Sequence, residues 1–191
     1  FQTQVSSTDS GGTTIRGYIA NARKVEAKGV ELEFSINPSE RWNAYANVAW
    51  TDHEYADFKN APCPPELAGG PILQCDISGQ WLPGISEWAL SYGFQYDIPT
   101  NFLASAGSAF FGFDGSYRSE FSSNASRSIY TDVSGRALAN FRLGFNADAG
   151  WDAFLWVWNA FDKQYFDQLA IAGSNNGLIV GQPAASVTWG L

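Results

Sequence analysis

The chain has 191 residues and a formal net charge of −8, with 8 Trp, 8 Tyr, 14 Phe and 19 Gly. This length suits one domain or part of a larger one, and the negative charge argues against non-specific nucleic-acid binding. No apolar run approaches the roughly 18 residues of a membrane-spanning helix, and no signal segment precedes Phe1. We therefore expect an internal or processed fragment. Aromatic residues and glycines favour strands and tight bends, so we also expect it to be rich in β-structure.

The sequence predicts eight strands whose connections alternate between short and long. The predicted strands lie near residues 1–5, 17–36, 41–52, 86–98, 102–118, 128–147, 151–160 and 182–191. Short stretches of turn-forming residues follow the second, fourth and sixth strands, at 37–40, 99–101 and 148–150. The other connections are long, at 6–16, 53–85, 119–127 and 161–181. In an antiparallel up-and-down meander, this alternation places every short turn at one end of the strands and every long loop at the other.

Two of these segments alternate strictly between apolar and polar side chains. Every second residue from Trp88 to Ile98 is apolar and mostly aromatic, and the residues between them are small or polar. The stretch from Trp42 to Trp50 has a similar pattern, and its end residues lie about 26 Å apart in an extended strand. That distance is close to the roughly 25 Å apolar band of a transmembrane barrel. We therefore predict a lipid-facing girdle formed by Trp42, Trp50, Trp88, Tyr96 and Trp189.

The fifth and sixth predicted strands are less regular. In the sixth, the polar side carries Arg136 and Arg142, which would line a polar lumen or pair with acidic groups such as Asp97 or Asp114. The fifth is apolar on both sides, so its facing stays open, and its glycines permit a β-bulge.

Cys63 and Cys75 lie 12 positions apart in a stretch rich in Pro and Gly. A disulfide between them fits an oxidising compartment such as the periplasm or the cell surface. Two unrelated thiols or a metal pair are the alternatives, and a zinc site has few ligands because His53 is the single histidine. We expect the disulfide, with no bound metal and no other cofactor.

Three segments together resemble one protein family. Residues 156–165 resemble the "V-x-N-x-F-D-x-x-Y" stretch near the C-terminus of TonB-dependent outer-membrane receptors. Residues 21–34 are similar to the family's "N-x-x-x-x-x-x-x-G-x-E-L/F-E" strand, and residues 75–83 to its "D-x-S-G-x-x-L-P" loop. The three segments occur in the family's order, so the chain resembles the C-terminal part of such a receptor.

The resemblance implies an all-β fold, an antiparallel up-and-down transmembrane β-barrel segment. Residues 1–191 would form a single domain fragment, about 8 strands of a barrel of the 22-stranded type. In the family, the barrel surrounds an N-terminal plug domain and is coupled to TonB by a segment that, like the plug, is not found in these residues. Its members take up ferric siderophores, cobalamin or carbohydrates across the outer membrane of Gram-negative bacteria.

The function implied is that of a receptor for active uptake of a scarce solute, most directly a ferric siderophore-type complex. The expected partners are the outer-membrane lipid bilayer, the plug, TonB and a small solute such as a metal chelate, and no nucleic acid. Ligand contacts are expected from side chains in the long loops and on the lumenal wall: His53, Tyr55, Phe58, Trp81, Arg136 and Arg142.

For three polar residues a structural role is the simpler interpretation. A surface histidine without a ligand role is the alternative for His53. Asn159 and Asp162 in the last motif are expected to cap local turns rather than to bind a ligand.

Two other classes of function stay open at this point. Eight strands also match the smallest outer-membrane barrels, but a hydrolase needs a nucleophile, a base and an orienting group, and His53 has no companion motif. A secreted β-sandwich that stacks Trp and Tyr on carbohydrate would pack its apolar faces inward, without consistent alternation of short and long loops. We therefore expect a receptor and not an enzyme.

Overall fold

The computed structural model describes residues 2–8, 15–67, 74–125, 127–171 and 178–191. Within them the chain forms fifteen strand segments and one 3₁₀ turn, Pro65–Leu67. The strands are β1 (Gln2–Thr8), β2 (Ile15–Asn21), β3 (Lys24–Ser39), β4 (Trp42–Asp57), β5 (Ala61–Pro62), β6 (Gln74–Cys75), β7 (Trp88–Phe102), β8 (Ser105–Arg118), β9 (Phe121–Ser122), β10 (Asp132–Val133), β11 (Arg136–Ala147), β12 (Asp152–Trp158), β13 (Phe166–Ile171), β14 (Ile179–Pro183) and β15 (Thr188–Gly190). The described residues include no helix that is both long and apolar enough to cross a bilayer.

Seven of these strands form one antiparallel sheet in the order β3-β4-β7-β8-β11-β12-β15. Neighbours in the sheet are also consecutive along the chain among these seven strands, which confirms the predicted meander and differs from the two packed Greek-key sheets of a β-sandwich. The described strands do not close into a barrel, since β3 pairs only with β4 and β15 pairs only with β12.

The predicted alternation of short and long connections is also confirmed for the connections that join the seven sheet strands, whereas the predicted connection 6–16 includes residues 9–14, which lie outside the described residues. The short connections lie at 40–41, 103–104 and 148–151, all at one end of the sheet. At the other end, the long connections between sheet strands contain the small hairpins β5–β6, β9–β10 and β13–β14. Three predicted strands are interrupted near this long-loop end, at residues 22–23, 134–135 and 184–187.

The turn predicted at residues 99–101 is wrong, because β7 continues through Pro99 to Phe102. Pro99 pairs with Ser108 on β8. On the other side of β7, the ladder with β4 ends where Trp42 meets Tyr96. Beyond that point β7 has a ladder partner on one side only, and a proline without an N–H group is tolerated there.

The turn lies instead at Leu103 and Ala104, whose φ angles are 48° and 62°. Two-residue hairpin turns with positive φ at both positions favour Asn-Gly, which adopts this left-handed conformation with little strain. Leu and Ala carry no such signal, so local sequence could not locate this turn.

The register settles the facing of β8. Phe113 lies opposite Phe94 and Phe111 lies opposite Tyr96, and the pairing with β7 runs without a bulge. Odd-numbered residues of β8 therefore share the side of the sheet that carries the alternating apolar residues Trp88 to Ile98. We call this side the apolar face and the opposite side the polar face.

The main cluster of buried hydrophobic side chains lies at the long-loop end, whereas many large side chains of the apolar face are exposed. The cluster consists of Ala22, Tyr55, Phe58, Ala61, Ile77 and Leu82. On the apolar face, by contrast, Leu32 is 64% exposed and Leu143 is 56% exposed. An apolar surface of this kind marks a site of contact with a membrane or another protein.

Candidate functional site

The centre of the polar face carries a hydrogen-bonded group from three strands. The Tyr45 hydroxyl donates to Asp114 Oδ1 at 2.9 Å, and Arg142 Nη2 donates to Asp114 Oδ2 at 3.4 Å. Arg142 thus pairs with one of the two acids named from the sequence. The other, Asp97, accepts hydrogen bonds from Gln95 instead. Arg142 is therefore held in place by a carboxylate that offsets its charge.

Arg136 also lies on the polar face, at the loop-side end of β11, and its side chain is only 10% exposed. Its guanidinium group lies over the Tyr165 ring, 4.3 Å from the ring centre, and Nη2 donates to Asp167 Oδ1 at 3.3 Å. The Nη1 atom is buried and has no hydrogen-bond partner within the described ranges. Arg118, the last residue of β8, occupies the directly opposite position.

The two arginines line a depression of about 390 Å³ on this face. The same depression is lined by small side chains that include Ala49, Ala89 and Ser91. Small residues in adjacent strands leave open space above the sheet, so a solute could reach the guanidinium of Arg118 from this side.

Three side chains predicted to contact a ligand are buried at the base of the loop that joins β4 to β7. Tyr55 is fully buried, and its ring lies 5.3 Å from that of Phe58. His53 is 3% exposed and not on the surface, and its Nδ1 accepts a hydrogen bond from the Leu82 N–H at 3.1 Å. Burial lowers the pKa of His53, which favours the neutral imidazole that this bond requires. These side chains have packing roles here, and their contact with a solute stays a prediction.

Trp81, the fourth predicted loop contact, lies where this loop meets the loop between β8 and β11. The Arg127 guanidinium lies over the Trp81 ring, 4.2 Å from its centre. Nearby, the Glu66 carboxylate accepts hydrogen bonds from the Ser128 hydroxyl at 2.8 Å and the Ile129 N–H at 3.0 Å. The two loops are therefore joined by direct side-chain contacts.

Cys63 and Cys75 form a disulfide, which confirms the predicted bond. Their Cα atoms are 4.9 Å apart, and the bond closes the segment that contains Glu66. It thereby restrains the position of the carboxylate that holds the neighbouring loop.

Comparison with known proteins identifies the fold. The sequence matches the family described as TonB dependent receptor-like, beta-barrel, over residues 1–160. The chain belongs to this family. No curated protein sequence matches it.

Two solved structures of receptors are similar to the chain. One is the ferric yersiniabactin uptake receptor FyuA from Yersinia pestis, with a TM-score of 0.70, 18% identity and 90% of this chain covered. The other is the siderophore receptor PiuA from Acinetobacter baumannii, with a TM-score of 0.66, 17% identity and 98% of this chain covered. The chain spans 23% of the length of each.

The last of the three motifs that resemble TonB-dependent receptors has a clear architectural role. Asn159 is 8% exposed, and its Nδ2 donates to the carbonyl groups of Lys163 at 3.0 Å and Ala185 at 3.2 Å. Its Oδ1 accepts the Lys163 N–H at 2.8 Å, while Asp162 Oδ1 accepts the Val187 N–H at 3.0 Å. Both side chains satisfy backbone groups where β12 and β15 meet their loops, in agreement with the predicted capping role.

The predicted girdle residues of this TonB-dependent receptor barrel all lie on the apolar face. The rings of Trp42 and Tyr96 are 4.6 Å apart near the short-turn end. Those of Trp50 and Trp88 are 6.5 Å apart near the long-loop end. Trp189 lies on the same face of β15 and is 79% exposed. Their contact with lipid stays a prediction.

The sequence did not point to the aromatic side chains on the polar face of β12. Phe154, Trp156 and Trp158 alternate there, with the last two rings 5.9 Å apart. Both sides of β12 are apolar in sequence, so only its register with β11 reveals this facing. Arg118 was missed for the same reason, because the facing of β8 was open.

Among the described residues, no group of three or more His, Cys, Asp or Glu could hold a metal ion.

Proposed function

We propose that this chain forms part of the barrel wall of an outer-membrane receptor that actively takes up a scarce solute, foremost a ferric siderophore-type complex. The observation that carries the proposal is the family match over residues 1–160. The choice of solute is supported by the two similar structures, one described as a ferric yersiniabactin uptake receptor and the other as a siderophore receptor. The single domain fragment would act together with a plug domain and TonB, in the outer membrane of a Gram-negative bacterium.

In this proposal the polar face is the wall that meets the solute, and no catalytic group is needed. A chelated metal is held by its chelator, so the wall has only to offer hydrogen bonds, charge and aromatic surface. Arg136, Arg142 and Trp81 would be the contacts closest to such a solute. His53, Tyr55 and Phe58 would support the loop above it.

The apolar face would meet lipid. Its rings form two cross-strand pairs, Trp42 with Tyr96 and Trp50 with Trp88, separated by eight residues along β4. Between them the strand carries Ala44, Ala46 and Val48 on the same face. This arrangement fits an apolar band with an aromatic rim at each side, and interfacial aromatic residues are typical of such rims.

Neighbouring residues offer a matched test of the lipid-facing side. Ala46→Arg places a charge midway between the two rims, and it should lower the free energy of unfolding by about 2–4 kcal/mol in lipid vesicles. Asn47→Arg places the same charge on the polar face, and should have little effect on the free energy of unfolding. Equal losses in the two variants, measured by urea titration, would show that the faces are wrongly assigned.

The transport function is tested in cells that carry the complete reading frame containing this chain. Uptake of radioactive iron supplied as a panel of ferric chelates should depend on the intact gene and should stop when a protonophore collapses the inner-membrane potential. The sequence upstream of Phe1 should encode a plug domain. A complete short protein beginning just before Phe1, or uptake that continues unchanged without the gene, would contradict the proposal.

A further inference from the structure

Two arginines lie opposite each other on the polar face, and a nearby carboxylate neutralises their two positive charges only in part. Arg118 and Arg136 are direct cross-strand partners on β8 and β11. Side chains in such positions have Cβ atoms about 4.5–5.5 Å apart, and like charges there destabilise a sheet. Among the described residues Arg118 has no carboxylate partner, and its Nη2 donates only to the Gly84 carbonyl at 3.4 Å. In the described part of the chain, Asp167 is the one acid bonded to this pair, through Arg136.

Both guanidinium groups lie against aromatic rings, and Arg136 is in addition bonded to Asp167. Arg118 lies 5.0 Å from the centre of the Phe121 ring, and Arg136 lies 4.3 Å from that of Tyr165. Stacking on a ring uses the flat face of a guanidinium and leaves its N–H edges for planar acceptors. The buried Nη1 of Arg136 has no acceptor among the described residues, and an unpaired buried donor is costly.

We propose that Arg118 and Arg136 form an anion-binding subsite at the loop-side end of the polar-face depression. The ligand group is an oxyanion of the solute, such as a carboxylate, and it accepts charge-assisted hydrogen bonds from the two guanidinium groups. Its negative charge offsets the repulsion between the arginines and supplies the acceptors that they lack. This inference rests on the proposed receptor function and adds the chemical class of one part of the solute.

The surrounding charges give the anion one favourable position. Arg142, the other arginine on this face, is already paired with Asp114. The opposite wall of the depression carries Glu31 and Glu33. Glu31 is three strands away from Arg118 in the same cross-strand row, about 14 Å at the usual strand spacing. An oxyanion is therefore attracted to the arginine side and repelled from the glutamate side.

Calorimetric titration of the purified complete receptor in detergent micelles tests the subsite, with citrate as the probe and the trication spermidine as the opposite-charge control. At low ionic strength citrate should bind and spermidine should not compete for its site. Arg118→Gln should weaken citrate binding at least tenfold, the lower range for a hydrogen bond to a charged group. Arg118→Lys keeps the charge but lacks the planar guanidinium group, so it should lose less citrate affinity than Arg118→Gln. Arg41→Gln makes the same charge change at the short-turn end and should leave citrate binding unchanged.

Thermal unfolding provides a second readout that does not depend on binding heat. Citrate should raise the Tm of the unsubstituted receptor and not that of Arg118→Gln, whose Tm without citrate should be equal or higher because repulsion is relieved. Citrate binding that is unaffected by Arg118→Gln, or absent in the unsubstituted receptor up to about 10 mM, overturns the subsite. Because these assays need no cellular energy, such a result with uptake intact rejects the subsite and leaves the transport function standing.

Discussion

Replacing Asn159 by alanine should destabilise the contact between the end of β12 and the segment that precedes β15. The Asn159 side chain makes three hydrogen bonds, to the carbonyls of Lys163 and Ala185 and from the Lys163 N–H. At about 1 kcal/mol net for each bond, their loss costs about 3 kcal/mol. Asn159 also has φ of 50°, a conformation that asparagine tolerates better than alanine, which adds up to about 1 kcal/mol. A local opening free energy lower by about 3–4 kcal/mol corresponds to roughly 150- to 700-fold faster exchange.

The assay is amide hydrogen exchange of the receptor in lipid vesicles, read on peptides that cover residues 159–165 and 184–187. Asn159→Gly removes the side-chain hydrogen bonds but suits positive φ, so it should be less harmful than Asn159→Ala by up to about 1 kcal/mol. Asn159→Asp keeps the acceptor for the Lys163 N–H but turns a second oxygen towards two carbonyl groups. It should therefore be at least as harmful as the alanine variant.

Two outcomes would refute this reasoning. Exchange in the Asn159→Ala variant within about twofold of the unsubstituted protein would mean that the three bonds add nothing to stability. Equal effects of Asn159→Asp and a distant surface substitution such as Lys59→Gln would mean that the amide donor has no specific role.

Three further predictions concern a histidine, a disulfide and a turn. Burial lowers the pKa of His53 below its usual 6.5, so the loop it supports is fully stable above that pH and loses stability as pH falls. The protection factors of the loop amides, corrected for the slower intrinsic exchange at low pH, should therefore fall towards pH 5, and His53→Gln should abolish this dependence. Reduction of the Cys63–Cys75 disulfide should lower the opening free energy of the same loop by about 3 kcal/mol, measured by amide exchange before and after addition of a reductant. Unchanged protection would argue against a stabilising role. Leu103→Asn combined with Ala104→Gly should raise the free energy of unfolding by about 1–2 kcal/mol in a urea titration, and a decrease would contradict strain in this turn.

The sequence predicted strands best where the two faces of the sheet differ chemically. From Trp88 to Ile98 the apolar and polar residues alternate without interruption, and the structure forms β7 there. The order of short and long connections then sufficed to predict the meander. Local chemistry and spacing carried this information, and no long-range contact had to be known.

Where the residues on the two sides of a strand are chemically similar, only the register with a neighbouring strand shows which side each residue faces. Phe110 and Phe111 are adjacent in β8, and the pairing with β7 shows that Phe111 lies on the apolar face and Phe110 on the polar face. The disulfide could be predicted because two cysteines in one loop have few alternatives. The burial of His53 could not be predicted from the sequence, because its hydrogen-bond partner Leu82 lies 29 positions away in a loop that folds back over β4.

The two edges of the seven-stranded sheet have a consequence for how this segment joins the rest of a barrel. Along β3 and β15, backbone N–H and C=O groups on one side have no strand partner among the described residues. In hydrocarbon each such group costs several kcal/mol, whereas at an aqueous surface it is hydrated. In the proposed lipid-facing orientation, both edges therefore have to be paired with further strands of the barrel. A proline at a β3 position whose N–H points away from β4 removes one of these donors, so it should weaken the joining of β3 to its next strand more than its pairing with β4.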